Sequence, residues 1–206
     1  MSIYINILIL FIICYLIGSI QSGILLGRFF YKLDIRKFGS ESTGATNVNR
    51  VLGVKPGIIV LIIDIFKGLI PILIIKLFFD DNLLGIIGSC AIVLGHCYPL
   101  FHKFKGGKGV ATGFGGVIVH IPAIAIVLII ALPIIIITKF VSLGAIVGAT
   151  LSIFLIVLLV VTSLLEIEYL IIAFIIPSII LIKHYPNLIR LINKTENRIS
   201  FNNDSK

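Results

Sequence analysis

Three short polar stretches stand out in an otherwise apolar chain. The first runs Gly39-Ser40-Glu41-Ser42-Thr43-Gly44-Ala45-Thr46-Asn47-Val48-Asn49-Arg50. Small residues let backbone N–H groups approach an anion closely. Hydroxyls such as those of Ser40 and Thr46, with the Asn47 amide, add neutral donors. Arg50 adds a planar fork that suits phosphate. The same residues could instead cap a helix, because Ser and Thr favour helix starts. The second stretch is Phe104-Lys105-Gly106-Gly107-Lys108-Gly109, followed by Val110-Ala111-Thr112-Gly113. A glycine-rich loop feeding a helix N-terminus is a ready phosphate site. Lys105 and Lys108 add point charges. The Gly-x-x-x-x-Gly-Lys-Ser/Thr pattern of nucleotide-binding loops is absent, and a basic turn that only sets topology is the alternative. The third stretch is Lys183-His184-Tyr185-Pro186-Asn187, ending in Lys194-Thr195-Glu196-Asn197. Its His184 is either a helix-end cap or a catalytic group.

Other chemistries find no support. There is no His-Glu-x-x-His, no Gly-x-Ser-x-Gly and no His/Cys ligand cluster. Five positions after the four histidines stand Phe101, Gly107, Ala125 and Ile189, never Asp. That removes the His-x4-Asp arrangement of the commoner glycerolipid acyltransferases. Cys14, Cys90 and Cys97 lie in or beside apolar runs and read as packing residues. Asp64 and Lys67, three apart, share one helix face and are expected to pair. His96 is a similar buried case, whereas His102 and His120 read as interfacial.

The elements that must hold these residues are membrane helices. Of 206 residues, 59% are hydrophobic and only 13% charged. Mean hydropathy is +1.20. An ordinary soluble domain has about 45–50% apolar residues and roughly a quarter charged. This excludes a cytosolic domain, a disordered chain and a secreted disulfide scaffold. The bilayer is the natural solvent. The net charge of +8 suits an anionic lipid or a small anionic substrate. Nucleic acid is not expected, since the basic residues sit in short loops. Met1 to Gly27 holds no Lys or Arg, which argues for a retained first helix over a signal peptide.

Spans are expected at Ile3–Leu26, Gly57–Phe79, Leu83–Phe101, Val141–Leu164 and Tyr169–Ile182. Val110–Ile137 is long for one crossing and short for two. It is expected to split at His120–Pro122 into two short helices. The expectation is an all-α bundle of seven transmembrane helices in one domain, 1–206. Fifteen of the 17 basic residues then fall on one side, with Lys67 and Lys76 inside span two. The opposite loops hold Asp80, Asp81, Glu166 and Glu168 and no basic residue. By the positive-inside rule the N-terminus faces out and the C-terminus the cytoplasm. All three polar stretches then share the cytoplasmic face.

In this order and spacing the chain resembles the integral-membrane, acyl-phosphate-dependent glycerol-3-phosphate acyltransferases of bacteria. The resemblance covers essentially the whole chain. It rests on Leu16-Ile17-Gly18-Ser19-Ile20, Asp34-Ile35-Arg36-Lys37-Phe38-Gly39-Ser40 and Gly44-Ala45-Thr46-Asn47-Val48. It continues through Asp64-Ile65-Phe66-Lys67-Gly68, Gly95-His96-Cys97-Tyr98-Pro99 and Lys105-Gly106-Gly107-Lys108-Gly109-Val110-Ala111-Thr112. Val141-Ser142-Leu143 and the tail from His184 to Glu196 complete it.

The resemblance implies seven membrane helices with an active site open to the cytosol, in the bacterial inner membrane. It implies acyl transfer from acyl phosphate to the 1-hydroxyl of sn-glycerol 3-phosphate, giving lysophosphatidic acid and phosphate. No metal, cofactor or obligate protein partner is implied, and membrane lipid surrounds the chain. Ser40, Arg50, Lys108 and His184 match catalytic positions. Thr46, Asn47, Lys105, Gly106, Gly107, Gly109, Ser142, Asn187 and Glu196 match substrate-binding ones. The chain departs from the family at four places. Ser42 stands for a usual Asn, Gln21 for a common Pro, and Tyr185 and Pro186 for Arg and Glu. Three proton acceptors remain open: His184, a substrate phosphate oxygen, or a covalent acyl-Ser40 route. The rival reading is a small organophosphate or anion transporter.

Overall fold

The computed structural model describes residues 3–79 and 81–199, and among them it is helical with no strand. Asp80 and Lys206, used in the charge argument, lie outside the described residues. The α-helices are α1 (Ile3–Gly18), α2 (Ser22–Tyr31), α3 (Ala45–Leu52), α4 (Val54–Phe78) and α5 (Asn82–Cys97). They continue as α6 (Val110–His120), α7 (Ala125–Thr138), α8 (Val141–Val161) and α9 (Leu170–Ile192). Five segments are long and apolar enough to cross a membrane: Tyr4–Tyr31, Val54–Phe78, Asn82–His102, Val141–Val161 and Ile167–Ile192. Val110–His120 and Pro122–Thr138 are shorter apolar helices. The long apolar stretch therefore divides at His120–Pro122, where a 3₁₀ turn, Pro122–Ile124, intervenes.

Two expected boundaries change. Span one does not run unbroken to Leu26. It breaks at residues 19–21 and resumes as α2, which reaches Tyr31. The break is stable because polar side chains serve the backbone there. The Ser19 hydroxyl donates to the Tyr15 carbonyl at 2.9 Å. The Lys67 ammonium donates to the Ile20 carbonyl at 2.8 Å. In the low-dielectric interior, leaving such a carbonyl unpaired costs several kcal/mol. The second change is that span seven does not stop at Ile182. α9 continues through Pro186 to Ile192, so His184 and Asn187 sit three apart on one helix face.

Small residues set the helix contacts. A Cβ at Gly68 would collide with the Thr112 carbonyl, and one at Gly115 with that of Ile65, which locks α4 to α6. Gly18 against Ile92 and Gly95 against Tyr15 do the same for α1 and α5. Without a hydrophobic drive between helices in lipid, such close backbone approach is the main source of packing energy. α8 packs between α7 and α9. Leu73, Ile74 and Ile129 are among the many apolar side chains left on the outside, as lipid contact requires.

Asp64 and Lys67 do pair, at 3.1 Å, and both are buried. They are not alone. The Ser22 hydroxyl donates to Asp64 Oδ1 at 2.7 Å, and Lys67 Nζ lies 3.0 Å from His96 Nδ1. Burying two charges is tolerable when they pair and neighbouring polar groups engage them in this way. His120 is buried, its ring edge-on to that of Tyr169.

Candidate active site

The first polar stretch folds as a loop plus the amphipathic helix α3. Asn47 organises it. Its Nδ2 donates to the carbonyls of Ile35 (3.2 Å), Phe38 (3.1 Å) and Ser42 (2.9 Å). Its Oδ1 accepts from the Ser40 N–H at 2.8 Å. Both ends of the amide are engaged by the loop, so Asn47 fixes the loop's shape. Asp34 anchors the start of the loop, held by Arg28 (2.9 Å) and Arg36 (2.6 Å). The Arg36 hydrogen bond, with lesser help from Arg28, holds its carboxyl well below the usual range despite partial burial. Gly53, at φ +97, turns the chain from α3 into α4 in a conformation that favours glycine.

The second stretch ends at Gly109, whose φ of +83 starts α6. Lys108 stands beside that helix start. Its ammonium donates to Asn187 Oδ1 at 2.7 Å, which leaves two further N–H groups. Burial pulls the amine down to about 8, with Arg190 and Arg50 adding to the shift and Glu196 opposing it.

The tail returns over the site after α9. Glu196 Oε1 accepts from Ser142 Oγ (2.9 Å) and Asn187 Nδ2 (2.7 Å). Its Oε2 accepts from Arg190 Nε at 2.7 Å. Burial raises this carboxyl, but the bonds from Asn187, Arg190 and Ser142 outweigh it, and the net shift is downward. Arg50 donates to the Asn197 carbonyl at 3.0 Å, while its Nε is buried with no protein partner. The Ile199 N–H reaches the Lys139 carbonyl at 2.9 Å and pins the tail to the turn before α8.

These parts surround one cavity of about 610 Å³. Its polar mouth is lined by Ser40, Thr46, Asn47, Arg50, Lys108, Gly109, Ser142, His184, Asn187 and Glu196. Its depth is apolar, from Val141 to Ile156 along α8 and from Asn187 down to Ile172 along α9. Fifteen residues of helix span roughly 22 Å. Ala131, Ala145, Gly148 and Ala149 leave that space open. His184 Nδ1 lies 2.8 Å from the Ile180 carbonyl. A carbonyl only accepts, so Nδ1 carries the proton and the neutral ring keeps its lone pair on Nε2. The Ser40 hydroxyl makes no hydrogen bond to any described residue, and among the described residues no imidazole or carboxylate serves it as a base.

Lys105, Gly106 and Gly107 do not line the cavity. Gly107 donates its N–H to the His96 carbonyl at 3.0 Å, and a Cβ on Gly107 would collide with the His96 ring. A Cβ on Gly106 would strike the His96 carbonyl. These two glycines let the loop close over the end of α5, and Lys105 is exposed. Five polar residues on the wall were not among the expected site residues: Ser42, Asn49, Asp64, His96 and Ser152. Sequence reasoning also missed Arg190, although its three-residue offset from Asn187 on one helix was a usable signal. Among the described residues no group of three or more His, Cys, Asp or Glu could hold a metal ion.

The model of the family described as glycerol-3-phosphate acyltransferase matches residues 8–194. The chain belongs to the glycerol-3-phosphate acyltransferase family. A family relative from Macrococcus caseolyticus is 39% identical over 95% of this chain and 98% of its own length. One from Listeria welshimeri is 45% identical over 70% of this chain and 75% of its own. Both are named glycerol-3-phosphate acyltransferase. The fold also matches crystal structures of PlsY, an integral membrane glycerol 3-phosphate acyltransferase. The glycerol 3-phosphate form superposes with a TM-score of 0.83 at 38% identity, covering 94% of this chain and 96% of that one. The lysophosphatidic acid form gives 0.80 at 37% identity over 94% and 95%.

Proposed function

We propose that the chain transfers a fatty acyl group from acyl phosphate to the 1-hydroxyl of sn-glycerol 3-phosphate. The products are lysophosphatidic acid and inorganic phosphate, and the reaction is the first acylation of phospholipid synthesis. Family membership supports the acyl transfer to glycerol 3-phosphate. The observation that carries the rest is the single cavity, which joins a mouth bearing Arg50 and Lys108 to an apolar depth. Two phosphate-bearing substrates need such cations side by side to offset their repulsion. An acyl tail needs the apolar depth, at about 0.8 kcal/mol per buried CH₂.

In this reading Lys108 and the start of α6 hold one phosphate, and Arg50 with Ser40 and Thr46 holds the other. Glu196 binds no anion. It fixes Asn187, Ser142 and Arg190 and balances the cations. Acyl phosphate is already activated, so positioning is the main task. The glycerol oxygen forms a bond to the acyl carbon, the bond from that carbon to the phosphate oxygen breaks, and phosphate departs. The hydroxyl proton passes to His184 Nε2 or directly to the departing phosphate. His184→Gln divides these routes. A kcat loss of about 100-fold or more supports the imidazole, and a loss below about tenfold supports the phosphate. A covalent acyl-Ser40 route is disfavoured by the missing base.

We also place the chain as seven crossings over 1–206 in the bacterial inner membrane. α1 starts outside, the tail is cytoplasmic, and the cavity mouth opens to the cytoplasm. The asymmetry of basic residues between alternate loops supports this. The test of function is purified protein with labelled glycerol 3-phosphate and, separately, palmitoyl phosphate, palmitoyl-CoA or palmitoyl-acyl carrier protein. Lysophosphatidic acid with palmitoyl phosphate alone is expected. No product with any donor from folded protein would overturn the reading and direct attention to anion flux in liposomes.

A further inference from the structure

Beneath the cavity mouth, one side chain joins the two anion loops. Gln21, in the break between α1 and α2, is 1% exposed. Its Oε1 accepts from the Thr43 hydroxyl at 2.6 Å, and its Nε2 donates to the His96 carbonyl at 3.2 Å. That carbonyl also accepts the Gly107 N–H at 3.0 Å. The amide has only one workable orientation, because a carbonyl must be met by the NH₂ end. Thr43 is 2% exposed and sits between Ser42 and Gly44, which both line the cavity. Gly107 directly precedes Lys108. His96 is itself held, its ring nitrogen 3.0 Å from Lys67 Nζ. The path from one loop to the other therefore runs Thr43, Gln21, His96 carbonyl, Gly107, all buried and all hydrogen-bonded.

We propose that Gln21 is a positioning residue that sets the distance and angle between the two phosphate-holding loops. The inference rests on the proposed two-phosphate reaction. Each loop has its own internal support: Asn47 for residues 35–44, and the His96 carbonyl for Gly107. Each would still bind its anion without Gln21. What the tie adds is their relative placement, and with it the alignment of hydroxyl and acyl carbon. A misplacement of about 1 Å costs on the order of 100-fold in rate. The signature is thus a fall in kcat with little change in either KM.

The test compares Gln21→Met, Thr43→Val, Thr43→Ser and the Gln21→Met/Thr43→Val double variant, in full-length protein. Turnover with palmitoyl phosphate is expressed per glycerol 3-phosphate site titrated by calorimetry, so an inactive fraction does not count. Each single apolar variant is expected to lower kcat per site at least about tenfold while both KM values stay within about threefold. Thr43→Ser, which keeps the hydroxyl, should match the wild type. The double variant should be no worse than the poorer single one, since both break one chain of bonds. Wild-type kcat per site in Gln21→Met or Thr43→Val would overturn the proposal. So would losses that multiply in the double variant, or higher KM with unchanged kcat. If Gln21→Met does not fold, Thr43→Val, which keeps the shape of the side chain, carries the same test. Wild-type protein that makes no lysophosphatidic acid would instead refute the underlying reaction.

Discussion

Arg50 and Lys108 both face the cavity, and their surroundings differ. Arg50 Nε is buried without a protein partner, a costly arrangement that a bound anion would relieve. Arg50→Ala is expected to raise KM for a phosphate substrate or lower kcat by at least about tenfold, measured by steady-state kinetics. Unchanged turnover and affinity would sink the anion clamp. Lys108 carries a pH signature. Burial holds its amine at about 8, so it is charged below that pH and neutral above it. Anion binding needs the charged form, so KM for one substrate should climb as pH rises from 8 to 9.5. Lys108→Arg, charged throughout, should flatten that climb. Glu196 has the opposite sign. Its carboxyl is lower in the folded state than its ordinary 4.5, so its contribution to stability is present above 4.5 and is lost as pH falls below it. Glu196→Gln should lower Tm at pH 7 and shrink the acid sensitivity measured by thermal unfolding. At this scale residue types were legible and jobs were not. Asn47 reads as a substrate contact because an amide suits phosphate; it lines the cavity, and its amide also bonds three carbonyls of its own loop, which no local pattern announces.

At the scale of elements, α8 carries the chain-length question. Its Ala145, Gly148, Ala149 and Ser152 form one wall of the apolar depth. Small residues every three or four positions keep that wall low. Ala149→Phe would fill part of the depth and push the acyl tail outward. Excluding two methylenes costs about 1.6 kcal/mol, roughly tenfold in affinity. KM for palmitoyl phosphate should therefore rise about tenfold while that for a ten-carbon acyl phosphate barely moves. Equal effects on both donors would place the tail elsewhere. The apolar runs made these helices readable from hydropathy. The breaks were harder. The interruption at residues 19–21 depends on Lys67, 47 positions away, reaching the Ile20 carbonyl, and local sequence carries no trace of that.

For the whole molecule, the orientation is open to direct measurement. The native cysteines are 1%, 5% and 0% exposed, so background labelling should be low. Glu168→Cys and Tyr4→Cys should react with an impermeant maleimide on intact cells. Lys194→Cys should react only after the membrane is opened. The reverse pattern, or all three alike, would refute seven crossings with an outer start.

The sequence alone determined that the chain belongs in a bilayer, since 59% apolar residues have no other solvent. It also showed residue types suited to anions recurring in three stretches, because those types and spacings are local properties. Tertiary structure decided how they combine. It set Lys108 against Asn187, 79 residues on, and Ser142 against Glu196, 54 residues on. It packed Gly106 and Gly107 against His96, and set the Gln21 amide between the Thr43 hydroxyl and the His96 carbonyl. The physical reason is common to all of these. A buried polar group must find a partner wherever the fold supplies one, and that partner is chosen by proximity in space, which no local pattern records.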